Sequence, residues 1–349
     1  MDDQKLKRIM IFRLSALGDV VMMLPLVNVL QSAYPNAEIT WVTTPLMYDL
    51  LQGLPGVRFQ VVEKPRGVLG WLRLCRALRT ETYDLCIAAQ ASWRAHSCYP
   101  FIRARRLIGW GGPRAKDGHR WFVSERIPFE PVHLVDAFLG FARYLGLDAK
   151  EPTWHLPLTS ADHEDVDCLA PGGGGPFIVI NPMASRPERT WALARYVTLL
   201  DEIAVRWGCS VVLIGGPSAA EVAFSQAIAQ QVQSPPRVLT GKLSLKQTAA
   251  LLARATVLIS PDTGPAHMAV AVGTPVVGLY AVAPSAWCGP YGSPYTVDVY
   301  EQAVSTYLNQ SAKRLAWGER VHHPEAMSLI AIDQVLAQLD KVFHESSQS

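Results

Sequence analysis

Arg8-Ile-Met-Ile-Phe-Arg-Leu-Ser-Ala-Leu-Gly-Asp-Val20 is the stretch on which the fold turns. The apolar run up to Leu14 has the length and composition of a strand buried on both faces of a parallel sheet. Ser15-Ala-Leu-Gly-Asp19 reads as a tight turn, residues 20–32 as a helix and residues 37–43 as the next strand. Strand, turn, helix and strand in this order open a doubly wound α/β domain.

Outward from there the pattern repeats. Strand-like runs recur at 58–62 and 84–89, and a helix is expected over 133–145. Residues 160–176 break the rhythm: they are acidic, then hold Pro171 and the four glycines Gly172 to Gly175, the composition of a hinge. A second cycle follows, with strands at 177–181, 210–215, 256–260 and 275–280 and helices at 191–206, 219–231, 245–253 and 265–272. The expected organisation is a Rossmann-like domain over 1–163, a linker over 164–176 and a second Rossmann-like domain over 177–325. A final helix within 326–349 is expected to cross back onto the first domain.

With 349 residues the chain exceeds one ordinary hydrophobic core. At 49% hydrophobic and 18% charged residues it reads as globular. The apolar stretch Val20 to Leu30 contains Pro25 and Asn28 and is too short to span a bilayer. The polar, charged opening from Met1 to Arg8 reads as no secretory signal, and six cysteines without paired metal spacing read as reduced thiols of a cytoplasmic protein. Residues 1–160 hold 20 Lys and Arg against 14 Asp and Glu, whereas residues 161–349 hold 12 against 16. The first half therefore faces something anionic, a nucleic acid or a phosphorylated lipid or sugar.

Three segments carry candidate chemistry. In Val257-Leu-Ile-Ser-Pro-Asp-Thr-Gly-Pro-Ala-His-Met268 a strand ends, Asp262 is presented at its carboxyl end, and a helix opens with Pro265 in its first position. Free amides there suit a diphosphate, and Gly264 admits close approach; the alternative is a structural cap. Asp19 ends the first turn of the other domain and can take a proton from an attacking hydroxyl, or it can be an N-cap. Arg189, after Asn181, can neutralise a departing diphosphate or be a solvated surface residue. Glu221, behind Gly215-Gly216, can accept from ribose hydroxyls or be a first-turn glutamate. Asp165-Val-Asp167 has the spacing of a metal-bound sugar-nucleotide motif but reads as solvated charge, so no metal and no cofactor are expected. The basic amphipathic segment Gly67 to Arg79 suits a membrane surface, but a helix packed on the first sheet through Trp71, Leu74, Cys75 and Leu78 is the favoured reading.

Ser15-x-x-Gly-Asp19, Arg189-x-Trp191 and Asp262-Thr-Gly-Pro-Ala-His267, in that order, resemble family 9 glycosyltransferases, the ADP-heptose:lipopolysaccharide heptosyltransferases. The resemblance runs from about Arg8 to Gly292. It implies a GT-B fold, two Rossmann-like doubly wound domains facing a central cleft, with inverting, metal-independent transfer of a heptose from ADP-heptose to Kdo-lipid A or a heptosylated core. It implies that Asp19 is the base. Ser185, Arg189, Glu221, Asp262, Thr263, Gly264 and His267 fall on donor contacts, with arginine where the family usually has lysine. One of the family's paired hydroxyl residues is lost, because Ala184 precedes Ser185. Arg94, Arg114, Lys116 and Arg120 are then expected to hold acceptor phosphates or carboxylates. The protein is expected to be a monomer, peripheral on the cytoplasmic face of the inner membrane, without a nucleic-acid partner. The segment Ala281 to Gly289 departs from the family's glycine-rich loop. A sugar-nucleotide epimerase of the same fold, a transferase using another nucleotide sugar and a non-catalytic nucleotide-sugar-binding protein are the rival readings.

Overall fold

The computed structural model describes residues 6–63, 66–171 and 175–346, so Gly172 to Gly174 of the expected hinge lie outside the described residues. The chain divides into two compact units, Met1–Pro157 and Leu158–Ser349. The first is built on β1 (Arg8–Phe12), β2 (Glu38–Thr43), β3 (Val57–Val61), β4 (Thr82–Ala88), β5 (Arg103–Gly109) and β6 (Glu125–Arg126). These pair in the order β3-β2-β1-β4-β5-β6, every pair parallel. Ile9, Met10, Ile11 and Phe12 are all fully buried, as a strand covered on both faces requires. Register sets Phe12 against Val42 on one side and Ala88 on the other, so the chain leaving β1 emerges beside the end of β4.

The second unit repeats the design with β7 (Phe177–Ile180), β8 (Ser210–Leu213), β9 (Arg237–Val238), β10 (Val257–Pro261), β11 (Val276–Tyr280) and β12 (Val297–Asp298). Their order is β12-β11-β10-β7-β8-β9, again all parallel. In both units the chain winds outward one way, returns, and winds the other way. The reversal falls between β1 and β4 in the first unit and between β7 and β10 in the second. Open sheets of this kind bind ligands at the carboxyl ends of the strands at that reversal. The Leu193–Trp207 helix shows why the helices form: Tyr196, Leu199, Leu200 and Ile203 recur at helical spacing and are buried on the sheet. It ends at Gly208, whose φ of 60° is the left-handed conformation glycine adopts without strain.

Four expectations are corrected. Residues 164–176 do not form a simple linker: the unit boundary falls at Pro157 and Leu158, and Ser160–Asp167 is a helix with a Thr159–Asp162 capping box. It packs on the Leu245–Arg254 helix, buries Val166 and pairs Asp167 with Arg254, so the acidic face is solvated on one side only. The final helix, Ile332–Ser346, places Val335, Leu336, Leu339 and Val342 in the core of the second unit, against the Leu193–Trp207 helix, β11 and β12. The domain limits of 177–325 and 326–349 therefore merge. The helix expected over 20–32 is two helices, Leu17–Met22 and Leu24–Ala33, broken at Met23 because Pro25 has no amide hydrogen to continue the ladder. Pro265 occupies the second helical position, after Gly264. Among the described residues no helix is long and apolar enough to cross a membrane.

Candidate functional site

The first unit's crevice is built from the end of β1. An arginine in an apolar strand must find a carboxylate. Arg13, half-buried, finds Asp19: its Nη2 pairs with Asp19 Oδ2 while its Nη1 donates to Ala89 O at 2.7 Å. The Leu14 amide donates to Gln90 Oε1 at 2.7 Å. Asp19 is the third residue of the Leu17–Met22 helix, not its N-cap, and its Oδ2 also accepts from the Ala16 amide at 3.1 Å. The carboxylate thus sits at the switch point between β1 and β4, a quarter exposed. Arg13 and Gln90 escaped the sequence reading, although a charged residue inside an apolar strand is itself a signal.

The second unit's crevice collects residues from four strand ends. Asn181, after β7, donates from Nδ2 to Met183 O at 3.2 Å and to Thr263 Oγ1 at 3.0 Å. Thr263 is the N-cap of the Gly264–Ala271 helix, yet its side chain caps no amide. Its hydroxyl is shared instead with Asn181 and Ser260 Oγ, the latter 2.7 Å away. The N-cap side chain therefore takes none of the first amides of this helix. Arg189 Nη1 pairs with Asp262 Oδ2 at 2.8 Å, the two side chains 12% and 16% exposed. Arg189 Nε and the Tyr280 hydroxyl are buried without a hydrogen-bond partner among the described residues. Burial pushes the Tyr280 phenol well up and the Asp262 charge pushes it further, so it remains a donor. Cys288 Sγ lies 3.9 Å from Asp262 Oδ2.

Glu221 follows β8. Its Oε2 accepts from the Gly216 amide at 2.6 Å and its Oε1 from the Ser218 hydroxyl at 2.9 Å. A Cβ on Gly216 would lie 2.9 Å from Glu221 Oε1, so the paired glycines make room for this carboxylate. Thus Arg189, Asp262, Thr263 and Gly264 are brought together, and Glu221 joins them across Asn181. His267 is buried three residues into the helix from Gly264, and Ser185 is exposed on the loop before Arg189. Asn181 and Tyr280 were missed; a polar residue directly after an apolar strand was the available signal.

The four basic candidates of the first unit separate. Arg94, Lys116 and Arg120 are exposed, Arg120 lying over the Trp121 ring at 5.1 Å. Arg114 is half-buried and engaged: its Nη2 donates to Val132 O at 2.6 Å and its guanidinium stacks on Trp110. The loop bearing them is anchored by two fully buried histidines. The Trp110 amide donates to His119 Nε2 at 2.9 Å, His119 Nδ1 lies 2.9 Å from His96 Nε2, and His96 Nδ1 lies 3.1 Å from Asp117 O. One assignment satisfies all three contacts: both rings neutral, each carrying its proton on Nδ1. Burial and the neighbouring His96 push His119 down to about 4.

Among the described residues no cluster of three or more His, Cys, Asp or Glu could hold a metal ion. The arrangement offers one carboxylate at the first switch point, and at the second a guanidinium, a helix start uncapped by its N-cap side chain and a fixed carboxylate. That set suits a nucleoside diphosphate.

Comparison with known proteins agrees. Residues 71–312 match the model of Glycosyltransferase family 9 (heptosyltransferase). The chain is 31% identical to the lipopolysaccharide core heptosyltransferase OpsX of Haemophilus influenzae over 96% of this chain and 97% of that one. Its fold is that of the family 9 glycosyl transferase from Veillonella parvula, TM-score 0.80 at 22% identity over 98% and 99% of the two chains. It is also that of the E. coli heptosyltransferase WaaC solved with ADP, TM-score 0.72 at 19% identity over 96% and 99%. The family match spans more than half of the chain and the OpsX relative is 31% identical over nearly all of it, so the protein belongs to glycosyltransferase family 9, the heptosyltransferases.

Proposed function

We propose that this glycosyltransferase moves a heptose from ADP-heptose to the lipopolysaccharide inner core, with inversion and without a metal. The observation that carries the reading is the second unit's crevice, where the Arg189–Asp262 pair stands beside a helix start that its N-cap side chain leaves uncapped. Arg189 and the amides from Gly264 onward stabilise the diphosphate as the bond from the anomeric carbon to ADP breaks. Asp262, released in part from Arg189, accepts from heptose hydroxyls, and Glu221, held by Gly216 and Ser218, accepts from the ribose. Ser185 and His267 complete the donor set.

Asp19 takes the proton of the attacking acceptor hydroxyl. Its pairing with Arg13 keeps it in place until the hydroxyl arrives. Exposed Arg94, Lys116 and Arg120, with Arg114 behind them, meet acceptor phosphates or carboxylates. The protein works as a monomer at the cytoplasmic face of the membrane that carries this acceptor.

The relative's name supports heptose transfer to a lipopolysaccharide core. The test is ADP release from ADP-heptose with and without Kdo-lipid A. Release that depends on acceptor, with the heptose recovered on the lipid, is expected. Donor consumed without acceptor to give an altered sugar would identify an epimerase, and binding without turnover a non-catalytic protein.

A further inference from the structure

The Gly67–Leu78 helix of the first unit buries Leu74, Cys75 and Leu78 in the core, the favoured sequence reading. It also leaves Val68, Leu69 and Leu72 exposed to 73%, 72% and 44%. Helical spacing sets those three on the outward side together with Arg73 and Arg76. Exposed aromatic residues lie on a neighbouring segment of the same unit. Trp71 Nε1 donates to Ser97 Oγ at 3.0 Å and its ring meets Phe101 edge-on at 5.3 Å, which fixes the helix beside the Trp93–His96 turn. Trp93, 62% exposed, lies against Phe122 with ring centroids 5.9 Å apart, and Trp121 beside it is 72% exposed. From 66 to 79 and from 85 to 116 the chain contains no Asp or Glu.

We infer that this face docks on an anionic phospholipid surface. Exposed leucine and valine gain by entering the acyl boundary, and arginines on the same side reach the headgroups. Tryptophans with one apolar and one polar end settle at the level between. Charge selects this occupant over a second copy of the chain: a symmetric dimer through the same face would set arginines against their own copies. Each basic residue near an anionic membrane contributes on the order of 1 kcal/mol, about fivefold in binding. The groove between β3 and the helix, of about 660 Å³ and lined by Val61, Leu69 and Leu74, gives lipid methylenes room. The inference rests on the lipid-borne acceptor proposed above, since such an acceptor is presented at this kind of surface.

The test is co-sedimentation of the full chain with vesicles of phosphatidylcholine alone or with phosphatidylglycerol. The wild type should bind the mixed vesicles, release in high salt, and show blue-shifted tryptophan emission when bound. Two variants are compared: Val68→Ser/Leu69→Ser/Leu72→Ser and Trp93→Ser/Trp121→Ser. All five residues are exposed, so the thermal midpoint should hold while vesicle affinity falls by about tenfold or more. In the Val68→Ser/Leu69→Ser/Leu72→Ser variant, transfer to a water-soluble, deacylated acceptor should stay at the wild-type rate, which separates docking from the transfer reaction. Vesicle binding that is unchanged in both variants overturns the inference. So does a wild-type dimer in sedimentation velocity that the same substitutions dissociate, because the face would then be a contact between copies. Loss of activity on the soluble acceptor in the wild type would instead count against the proposed function and leave the vesicle result to judge the docking face.

Discussion

In the first unit the crevice between β1 and β4 is occupied by the protein itself: Arg13 spans from Asp19 to the Ala89 carbonyl, and Gln90 takes the Leu14 amide. In the second unit, on the same strand order, Arg189 pairs with Asp262 across the β7 and β10 ends, and the Thr263 side chain bonds Asn181 and Ser260 instead of capping the Gly264–Ala271 helix. Each crevice arginine, Arg13 and Arg189, keeps a buried Nε without a partner among the described residues. The first crevice thus fixes a carboxylate, which suits the base proposed above, and the second leaves a helix start uncapped by its N-cap side chain, which suits the proposed anion.

The strongest way to break this contrast is Asp19→Asn. If Asp19 is the base, kcat with both substrates saturating should fall about 10²–10⁴-fold, with ADP affinity by calorimetry unchanged. The variant also removes the charge paired with half-buried Arg13, so a lower melting temperature is expected beside the kinetic loss. Near wild-type kcat in a folded variant would remove Asp19 from the mechanism.

Acid should separate the units next. His119, at about 4, and His96, also held down by burial, are neutral in the folded first unit, whereas an unfolded histidine titrates near 6.5. Between those values the unfolded chain binds more protons. The stability conferred by the neutral pair is therefore full above about pH 6.5 and is lost as pH falls toward 4, by at most roughly 3 kcal/mol for His119. Calorimetry at pH 7 and pH 5 should show the first unit's transition moving down further than the second's. His119→Gln should flatten that difference; equal shifts in both units would refute it.

Arg189→Ala is expected to weaken ADP binding by about 1.5–3 kcal/mol, the worth of a charge-assisted bond, while Arg13→Ala leaves it unchanged. Equal losses in both variants would erase the division of labour between the crevices. Arg120→Ala should raise the acceptor KM with donor affinity constant, by less than Arg189→Ala affects ADP, because Arg120 is exposed. Arg114→Ala is the poorer probe, since it also breaks the bond to Val132 O and uncovers Trp110. The smallest effect is expected from EDTA. With Arg189 and helix amides as the counter-charge, transfer should persist, and a loss restored by magnesium would reverse that part of the proposal.

The two α/β cycles, eight of their strands and the placing of Asp19, Arg189 and Asp262 at strand ends were legible from apolar runs and turn residues, whereas the arginine-rich β5 and the two-residue strands β6, β9 and β12 gave no such run. Those signals are local: a buried parallel strand needs consecutive apolar residues, and the turn after it needs small or capping ones. Residues 160–167 were misread for the same reason. Their acidity signals solvent, and the neighbour they pack on, the Leu245–Arg254 helix, lies some eighty residues away in the chain. The final helix was assigned to the wrong unit because an amphipathic stripe says that a helix packs but not on what.

Side-chain partnerships were out of reach of local signals. Arg13 meets Ala89 and Asp19, and Arg189 meets Asp262 seventy-three positions on, only because strand register brings those ends together. Composition and periodicity determined that this is a two-domain α/β protein with chemistry at its strand ends. Which side chains meet at each strand end is decided once the sheets assemble. That depends on distances of about 3 Å between residues remote in sequence, and no one-dimensional pattern encodes them.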